Sequence, residues 1–120
     1  MKKILVVDDD QGILDAFTAI LESADYEVFT ESDPGNLNKT IKKVLPNLIL
    51  LDVLLSGGDG RIICKRLKAK EETKDIPVII VSAHPSAQKS IRESGADDFL
   101  EKPFDMEILL NKISHHIGKN

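Results

Sequence analysis

Three short segments of the chain are apolar at every position, and they predict buried strands. They are residues 4–7 (Ile-Leu-Val-Val), 48–51 (Leu-Ile-Leu-Leu) and 78–81 (Val-Ile-Ile-Val). Their length and their β-branched residues favour strands. Because apolar and polar residues do not alternate within them, we expect both faces of each strand to be covered. Residues 27–30 and 98–101 indicate two weaker strands.

Between these segments, apolar residues recur at the spacing of an α-helix. The first such run comprises Ile13, Phe17, Ile20, Leu21 and Ala24. Similar runs lie at 37–45 and 110–117, and a poorer one at 86–94 predicts the least firmly anchored helix. A further helix is expected around Cys64, between the third and fourth strands. We therefore expect five strands alternating with five helices, which is an α/β fold built on a parallel sheet with both faces covered.

Several polar residues have ordinary structural explanations. Asp10, Asp33 and Asp105 stand where helix N-caps are expected, and the proline after Asp33 suits the first position of a helix. His115 and His116 are adjacent, so on a helix they point about 100° apart and make a poor metal pair. We expect both histidines to face solvent.

Composition limits the class of protein. The chain has 120 residues, which predicts one domain over residues 1–120, and its net charge of -4 argues against direct binding of nucleic acid. One cysteine, Cys64, excludes an internal disulfide and a thiolate zinc cage and fits a reducing compartment. The apolar runs are too short to cross a membrane. These features together predict a cytoplasmic protein.

Polar side chains follow the strands at the points where the strands end. Asp8-Asp9-Asp10 follows the first strand, Asp52 the third, Ser82 the fourth, and Lys102 the last. In an open parallel sheet, ligands bind beyond the carboxyl ends of the strands. We therefore expect acids, a hydroxyl and a lysine from four distant parts of the chain to meet at one edge.

The charges at this edge favour a divalent cation. Asp8, Asp9 and Asp52 cannot all stay ionised at close range without compensation, and Lys102 supplies one positive charge. A divalent ion brings the sum to zero, and an all-oxygen site suits Mg²⁺, with Mn²⁺ as a substitute. Without histidine or thiolate at the strand ends, zinc is disfavoured. Such a site suits phosphoryl transfer.

The ordered motifs resemble a known family over essentially the whole chain. They are Asp8-Asp9, Leu50-Leu51-Asp52, Gly-Gly-Asp-Gly at 57–60, Val81-Ser82-Ala83, and the run at 95–104. This pattern is similar to the receiver domain of two-component response regulators. The resemblance implies a flavodoxin-like, doubly wound, five-stranded parallel sheet of order 2-1-3-4-5, with five helices.

The resemblance also implies a role for each site residue. Asp52 would be the phosphoryl acceptor, and Mg²⁺ would be held by Asp8, Asp9, Asp52 and the backbone carbonyl of Leu54. Lys102 would pair with the phosphoryl oxygens.

The remaining positions would govern switching and lifetime. Ser82 would donate a hydrogen bond to the phosphoryl group, and Phe99 would be the aromatic switch. Leu54 and His84 would tune the lifetime of the phosphoryl group, with the apolar Leu54 predicting slow self-hydrolysis. The peptide bond after Lys102 would be cis.

The implied phosphodonor is a sensor histidine kinase or a histidine phosphotransfer protein. Phosphorylation would reshape the surface of helix 4, strand 5 and helix 5, which an effector domain or a target protein would read. The sequence leaves open whether the receiver is free-standing. Leu55-Ser56 stands where the family usually has Met-Pro, which predicts a more mobile segment at 54–59.

The main alternative is a receiver-like protein-binding module that is not phosphorylated. The intact set of acids, hydroxyl and lysine weighs against it, because a scaffold needs no cluster of strained charges. An aspartyl-phosphate phosphatase would want an acid at Leu54. A flavin-binding module would want a Ser/Thr/Gly-rich phosphate loop in place of the three aspartates that follow the first strand.

Overall fold

The computed structural model describes residues 1–118, so the last two residues of the predicted domain lie outside the described part. Its strands are β1 (Lys3–Val7), β2 (Glu27–Glu31), β3 (Leu48–Asp52), β4 (Leu54–Leu55), β5 (Gly58–Asp59), β6 (Val78–Ser82) and β7 (Asp98–Glu101). Five of them form a parallel sheet of order β2-β1-β3-β6-β7. Without the short β4 and β5, this is the predicted order 2-1-3-4-5, so the α/β, doubly wound, flavodoxin-like fold is confirmed.

Five α-helices connect the strands. They are α1 (Gln11–Ser23), α2 (Leu37–Val44), α3 (Gly60–Ala69), α4 (Gln88–Glu93) and α5 (Met106–Ile117). The fourth helix is shorter than the predicted 86–94, because its first turn is wound as a 3-10 helix at Pro85–Ala87 and α4 has no side-chain N-cap. Asp33 likewise caps a 3-10 turn, Pro34–Asn36, that precedes α2.

The other two predicted N-caps form as expected. The side chain of Asp10 accepts a hydrogen bond from the N–H of Ile13, and that of Asp105 accepts one from Glu107. Each satisfies a backbone donor that the first turn of a helix leaves without a partner.

Helices cover both faces of the sheet, which explains why the central strands are apolar throughout. The face beneath α2, α3 and α4 includes Leu5, Ile41, Ile49, Leu67 and Ile91. The face beneath α1 and α5 includes Ile4, Phe17, Leu50, Leu109 and Ile113. Within residues 1–118, no helix has the length and the apolar character that a bilayer crossing requires.

The start of α3 lies directly against the carboxyl end of β3. A Cβ added at Gly60 would be 2.1 Å from the backbone oxygen of Asp52, so only glycine fits there. The N–H of Gly60 also donates to the carbonyl of Val53 at 2.8 Å. This close approach fixes the segment after β3 against the sheet.

Candidate functional site

Three carboxylates meet at the carboxyl edge of the sheet. Asp8 and Asp9 follow β1, and Asp52 is the last residue of β3. One carboxylate oxygen from each of the three lies within 4.8 Å of the others. Asp8 and Asp52 are buried, with 3% and 9% of their surface exposed, whereas Asp9 is exposed. The cluster therefore opens to solvent on the side of Asp9.

Lys102 reaches into this cluster from the far edge of the sheet. Its Nζ lies 3.2 Å from Oδ1 of Asp52 and 3.8 Å from Oδ2 of Asp8. The N–H of Lys102 donates to the carbonyl of Ser82 at 2.8 Å, and the bond to Pro103 is cis, as the resemblance implies. The fold thus brings the predicted acids and the lysine together.

Burial and mutual repulsion shift the pKa values of the cluster. Burial raises the pKa of Asp52, the charges of Asp8 and Asp9 raise it further, and Lys102 opposes both. Burial also raises the pKa of Asp8. Hydrogen bonds from the hydroxyl and the N–H of Ser56 lower the pKa of Asp9.

The donor set fits a hard divalent cation. Three carboxylates and one ammonium leave two negative charges uncompensated, which one divalent ion balances. The available ligand atoms are oxygens, and they already converge within 4.8 Å. Such oxygen donors suit Mg²⁺ or Mn²⁺.

The segment after Asp52 folds into a small antiparallel hairpin that the sequence analysis missed. Leu54 pairs with Asp59 and Leu55 with Gly58, so Ser56 and Gly57 form a two-residue loop. The N–H of Ser56 donates to Oδ2 of Asp9 at 2.8 Å. The side chain of Leu54 is 63% exposed. The dipeptide Ser56-Gly57 after an apolar pair was the available signal, since Gly57 adopts a φ of +83°.

Ser82 lies beside β3, and its hydroxyl bonds to a nearby residue of its own chain segment. The register pairs Asp52 with Val81, which puts Ser82 one residue further along the same edge. Its buried hydroxyl accepts a hydrogen bond from the N–H of His84 at 3.0 Å. His84 itself is exposed.

Phe99 lies on β7 and is half-buried. It packs against the core beneath α2, α3 and α4 and, together with Ile91 and Arg92, lines a groove of about 250 Å³ between α4 and β7. The predicted switch residue therefore connects the core to the surface of the short helix α4.

Comparison with known proteins identifies the family. The family model described as the response regulator receiver domain matches residues 4–114. The chain belongs to the response regulator receiver family. The receiver is 40% identical over 115 residues to the DNA-binding dual master transcriptional regulator RpaA of Synechocystis. The match covers 94% of the receiver but 48% of RpaA, so the receiver spans about half the length of that relative.

Solved structures agree with this assignment. The chemotaxis protein CheY4 of Vibrio cholerae superposes on the receiver with a TM-score of 0.88 at 27% identity, covering 97% of this chain and 98% of the other. The receiver domain of the sensor histidine kinase PA1611 of Pseudomonas aeruginosa has a TM-score of 0.88 at 25% identity, with 98% of both chains covered. That structure is described with a magnesium ion coordinated in its active site cleft.

A second charged network in the receiver corrects one expectation. His116 does not face solvent: its Nε2 lies 2.8 Å from Oδ2 of Asp98, and its side chain is 17% exposed. Lys112 Nζ lies 2.9 Å from Oδ1 of the same carboxylate. Positions 112 and 116 are one helical turn apart and so share the face of α5 that meets β7. His115 is exposed, as expected.

This network also shifts a pKa. Burial of Asp98 opposes ionisation, but hydrogen bonds from Lys112 and His116 outweigh it and lower the pKa of that carboxyl. The sequence analysis missed the network because it depends on a contact between a strand and a helix.

A third network of the receiver joins α3 to α4. The guanidinium of Arg61 lies 2.6 Å from Oδ2 of Asp59, the N-cap of α3, and its Nη1 donates to Ser90 Oγ on α4 at 3.0 Å. The hairpin that carries Leu54 is therefore linked through Asp59 and Arg61 to the short helix α4.

Proposed function

We propose that this receiver accepts a phosphoryl group on Asp52 in a Mg²⁺-dependent reaction. The observation that carries the proposal is the approach of Lys102 Nζ to Asp52 at 3.2 Å within a cluster of three carboxylates. A lone buried acid would need no such arrangement. Crowded anions beside one ammonium suit a reaction in which positioning and charge neutralisation provide most of the catalysis.

The metal would be held by oxygen ligands from the loops at this edge. Asp8, Asp9, Asp52 and the backbone carbonyl of Leu54 are the ligands we propose, with Mn²⁺ as a substitute for Mg²⁺. When bound, the ion supplies charge neutralisation to the carboxylates and to the incoming phosphoryl oxygens. The magnesium described in the cleft of the PA1611 receiver supports this assignment.

The proposed reaction is a direct phosphoryl transfer. A carboxylate oxygen of Asp52 bonds to phosphorus while the phosphorus–nitrogen bond of the donor phosphohistidine breaks, and the electron pair leaves on the imidazole nitrogen. Asp52 must be ionised to attack, and Lys102 favours that state against the effect of burial. Lys102 would then turn its ammonium to the phosphoryl oxygens.

Switching would start at Ser82. We propose that its hydroxyl, which donates to the carbonyl of His84 at 3.4 Å, redirects that hydrogen bond to the phosphoryl group, while Phe99 turns inward from the groove beside α4. The helix α4 has six residues and no side-chain N-cap, so few local contacts oppose its movement. The surface of α4, β7 and α5 would change shape.

Two exposed neighbours would set the lifetime of the phosphoryl group. The side chain of Leu54 is exposed and apolar, so it cannot orient a water molecule for attack, and we propose slow self-hydrolysis. His84 would act in the opposite direction if it reaches the phosphoryl group.

The phosphodonor we propose is a sensor histidine kinase or a histidine phosphotransfer protein in the cytoplasm. The output would pass to an effector domain or a target protein, because RpaA, of which this chain matches about half, is described as a DNA-binding regulator. The receiver itself, with a net charge of -4, would make no direct contact with nucleic acid. We propose that residues 1–120 form this one receiver domain.

Intact mass spectrometry tests the proposal. The purified chain is incubated with Mg²⁺ and acetyl phosphate, and we expect the mass of one added phosphoryl group. The gain should vanish in Asp52→Asn and with a chelator, but persist in the control Asp75→Asn, which changes an exposed acid outside the site. No gain in the wild type would favour the unphosphorylated binding module, and an equal gain in Asp52→Asn would exclude Asp52 as the acceptor.

A further inference from the structure

We propose that Ser56 is a positioning residue for the metal site. Its backbone N–H holds the carboxylate of Asp9 and ties the β4–β5 hairpin, which carries the carbonyl of Leu54, to that carboxylate. This inference rests on the proposed function, since it concerns how the proposed ligands are arranged before a cation binds. It assigns to Ser56 a role distinct from that of any ligand.

Contacts from Ser56 restrict the side-chain conformation of Asp9. Asp9 is the exposed carboxylate of the three, and an exposed side chain samples several rotamers unless a contact holds it. Its Oδ2 accepts a hydrogen bond from the N–H of Ser56 at 2.8 Å, and such bonds are strengthened when the acceptor is charged. The hydroxyl of Ser56 also acts on this carboxylate, since it lowers the pKa of Asp9. The side chain is therefore held in one orientation.

The second observation explains why the N–H of Ser56 is available. The hairpin ladder pairs Leu54 with Asp59 and Leu55 with Gly58, which leaves Ser56 as the first of two loop residues. The second, Gly57, takes a φ of +83° and closes the turn. The donor of Ser56 therefore has no partner across the ladder and points instead to a residue 47 positions away in the chain.

The third observation is that the same bond couples two proposed ligands. The base of the hairpin is fixed because Asp59 caps α3, and its tip is fixed by Asp9. Leu54 pairs with Asp59 at that base and lies two residues before Ser56 at the tip. An ionised carboxylate has about four acceptor positions, so one N–H leaves most of them for a cation. Hydrogen-bond partners that orient metal ligands typically change metal affinity by about 10–100-fold.

Two substitutions distinguish the contribution of the Ser56 amide from that of its hydroxyl. Ser56→Pro removes both donors, and proline is favoured at the first loop position of common turns, so the hairpin should persist. Ser56→Ala removes the hydroxyl alone. Mg²⁺ affinity of the full chain is measured by isothermal titration calorimetry, and thermal unfolding is followed without metal. Because the bond is exposed, we expect the low end of the range: a Kd about tenfold higher for Ser56→Pro.

Ser56→Ala is the control, and three outcomes would contradict the proposal. Ser56→Ala should keep most of the affinity, and both variants should unfold at the wild-type temperature without metal, which a purely structural role would not give. A wild-type Kd in Ser56→Pro overturns the proposal while leaving the phosphorylation test intact. Equal weakening in both variants assigns the effect to the hydroxyl and also overturns it. A wild type that binds no Mg²⁺ and gains no phosphoryl group overturns both proposals.

Hydrogen exchange provides a readout that needs no proline variant. In the metal-free wild type, the amide of Ser56 should exchange more slowly than in Asp9→Ala, because the hydrogen bond protects it. Equal exchange in the two proteins would mean that the bond does not persist in solution, and the proposal would fall.

Discussion

Replacing the proposed nucleophile should stabilise the protein. Asp52 is 9% exposed and lies beside two other carboxylates, so its negative charge opposes folding in the absence of a metal. Asp52→Asn keeps the size of the side chain and removes that charge. We expect a higher free energy of unfolding at neutral pH, because a buried charge that is only partly compensated is removed.

The magnitude follows from the distances. At an effective dielectric constant of about 20, Asp8 at up to 4.8 Å repels Asp52 by at least about 3.5 kcal/mol, and Lys102 at 3.2 Å attracts it by about 5 kcal/mol. Asp9 is exposed, so it adds less than about 1 kcal/mol. These terms nearly cancel, which leaves the desolvation of the carboxylate, worth several kcal/mol at most. We expect a gain of about 2 kcal/mol after partial compensation by the buried amide.

Thermal unfolding followed by circular dichroism checks this value. For a chain of this size, about 2 kcal/mol corresponds to a rise in Tm of about 5–10 °C. Asp75→Asn is the matched control and should leave Tm unchanged, since Asp75 is exposed. Saturating Mg²⁺ should stabilise the wild type more than the variant and so reduce the difference between their Tm values. A variant that is no more stable than the wild type without metal would refute the electrostatic reasoning.

The pH dependence of the free energy of unfolding tests the same reasoning independently. Burial raises the pKa of Asp52 and of Asp8 above the ordinary value of 3.8, so the folded state binds protons that the unfolded state does not. Wild-type stability should therefore rise as pH falls through the raised values towards 3.8. Asp52→Asn lacks one of the two groups and should show a shallower rise. A steeper rise in the variant would contradict the assignment.

Three further substitutions probe the surroundings of the site. Gly60→Ala should destabilise the fold by at least about 3 kcal/mol, because the new Cβ would lie 2.1 Å from a backbone oxygen of β3. Gly12→Ala, at an exposed position of α1 where the new Cβ would meet only a side-chain oxygen of Asp10, is its control. Equal Tm values for the two variants would contradict the clash at Gly60. Leu54→Asn should speed dephosphorylation several-fold by orienting water; an unchanged decay of the phosphorylated mass would contradict this. Ser90→Ala removes the acceptor of Arg61 and should loosen α4 by about 1 kcal/mol, seen as faster amide exchange there than in wild type. Unchanged exchange in α4 would show that this contact does not hold the helix.

The fold was predictable because its central strands permit few alternatives. A run such as 48–51 is too short for a buried helix and too apolar for a one-sided strand. Polar residues at the ends of such strands then indicated the site, because parallel strands end at one edge. This is why the meeting of Asp8, Asp52 and Lys102 could be expected from residues far apart in the chain.

The unpredicted features depend on contacts that local pattern does not specify. The strands β4 and β5 have two residues each, which is too few for any periodicity to indicate. The burial of His116 requires that α5 pack with that face on β7, so that Asp98 lies within reach. Neither the position of His116 on the helix nor its neighbour His115 reveals that partner.

The segment after Asp52 shows how one structural role can be filled in two ways. The absence of proline at Ser56 led to the expectation of a mobile segment at 54–59, and this stays a prediction. The structure gives the segment three attachments: Gly60 beneath the carbonyl of Asp52, Asp59 at the N-terminus of α3, and Ser56 on Asp9. Proline would restrict the loop through its φ but could not donate to Asp9. Movement of the hairpin tip away from the sheet edge would break the bond between Ser56 and Asp9, so such movement would disturb a carboxylate of the proposed metal site.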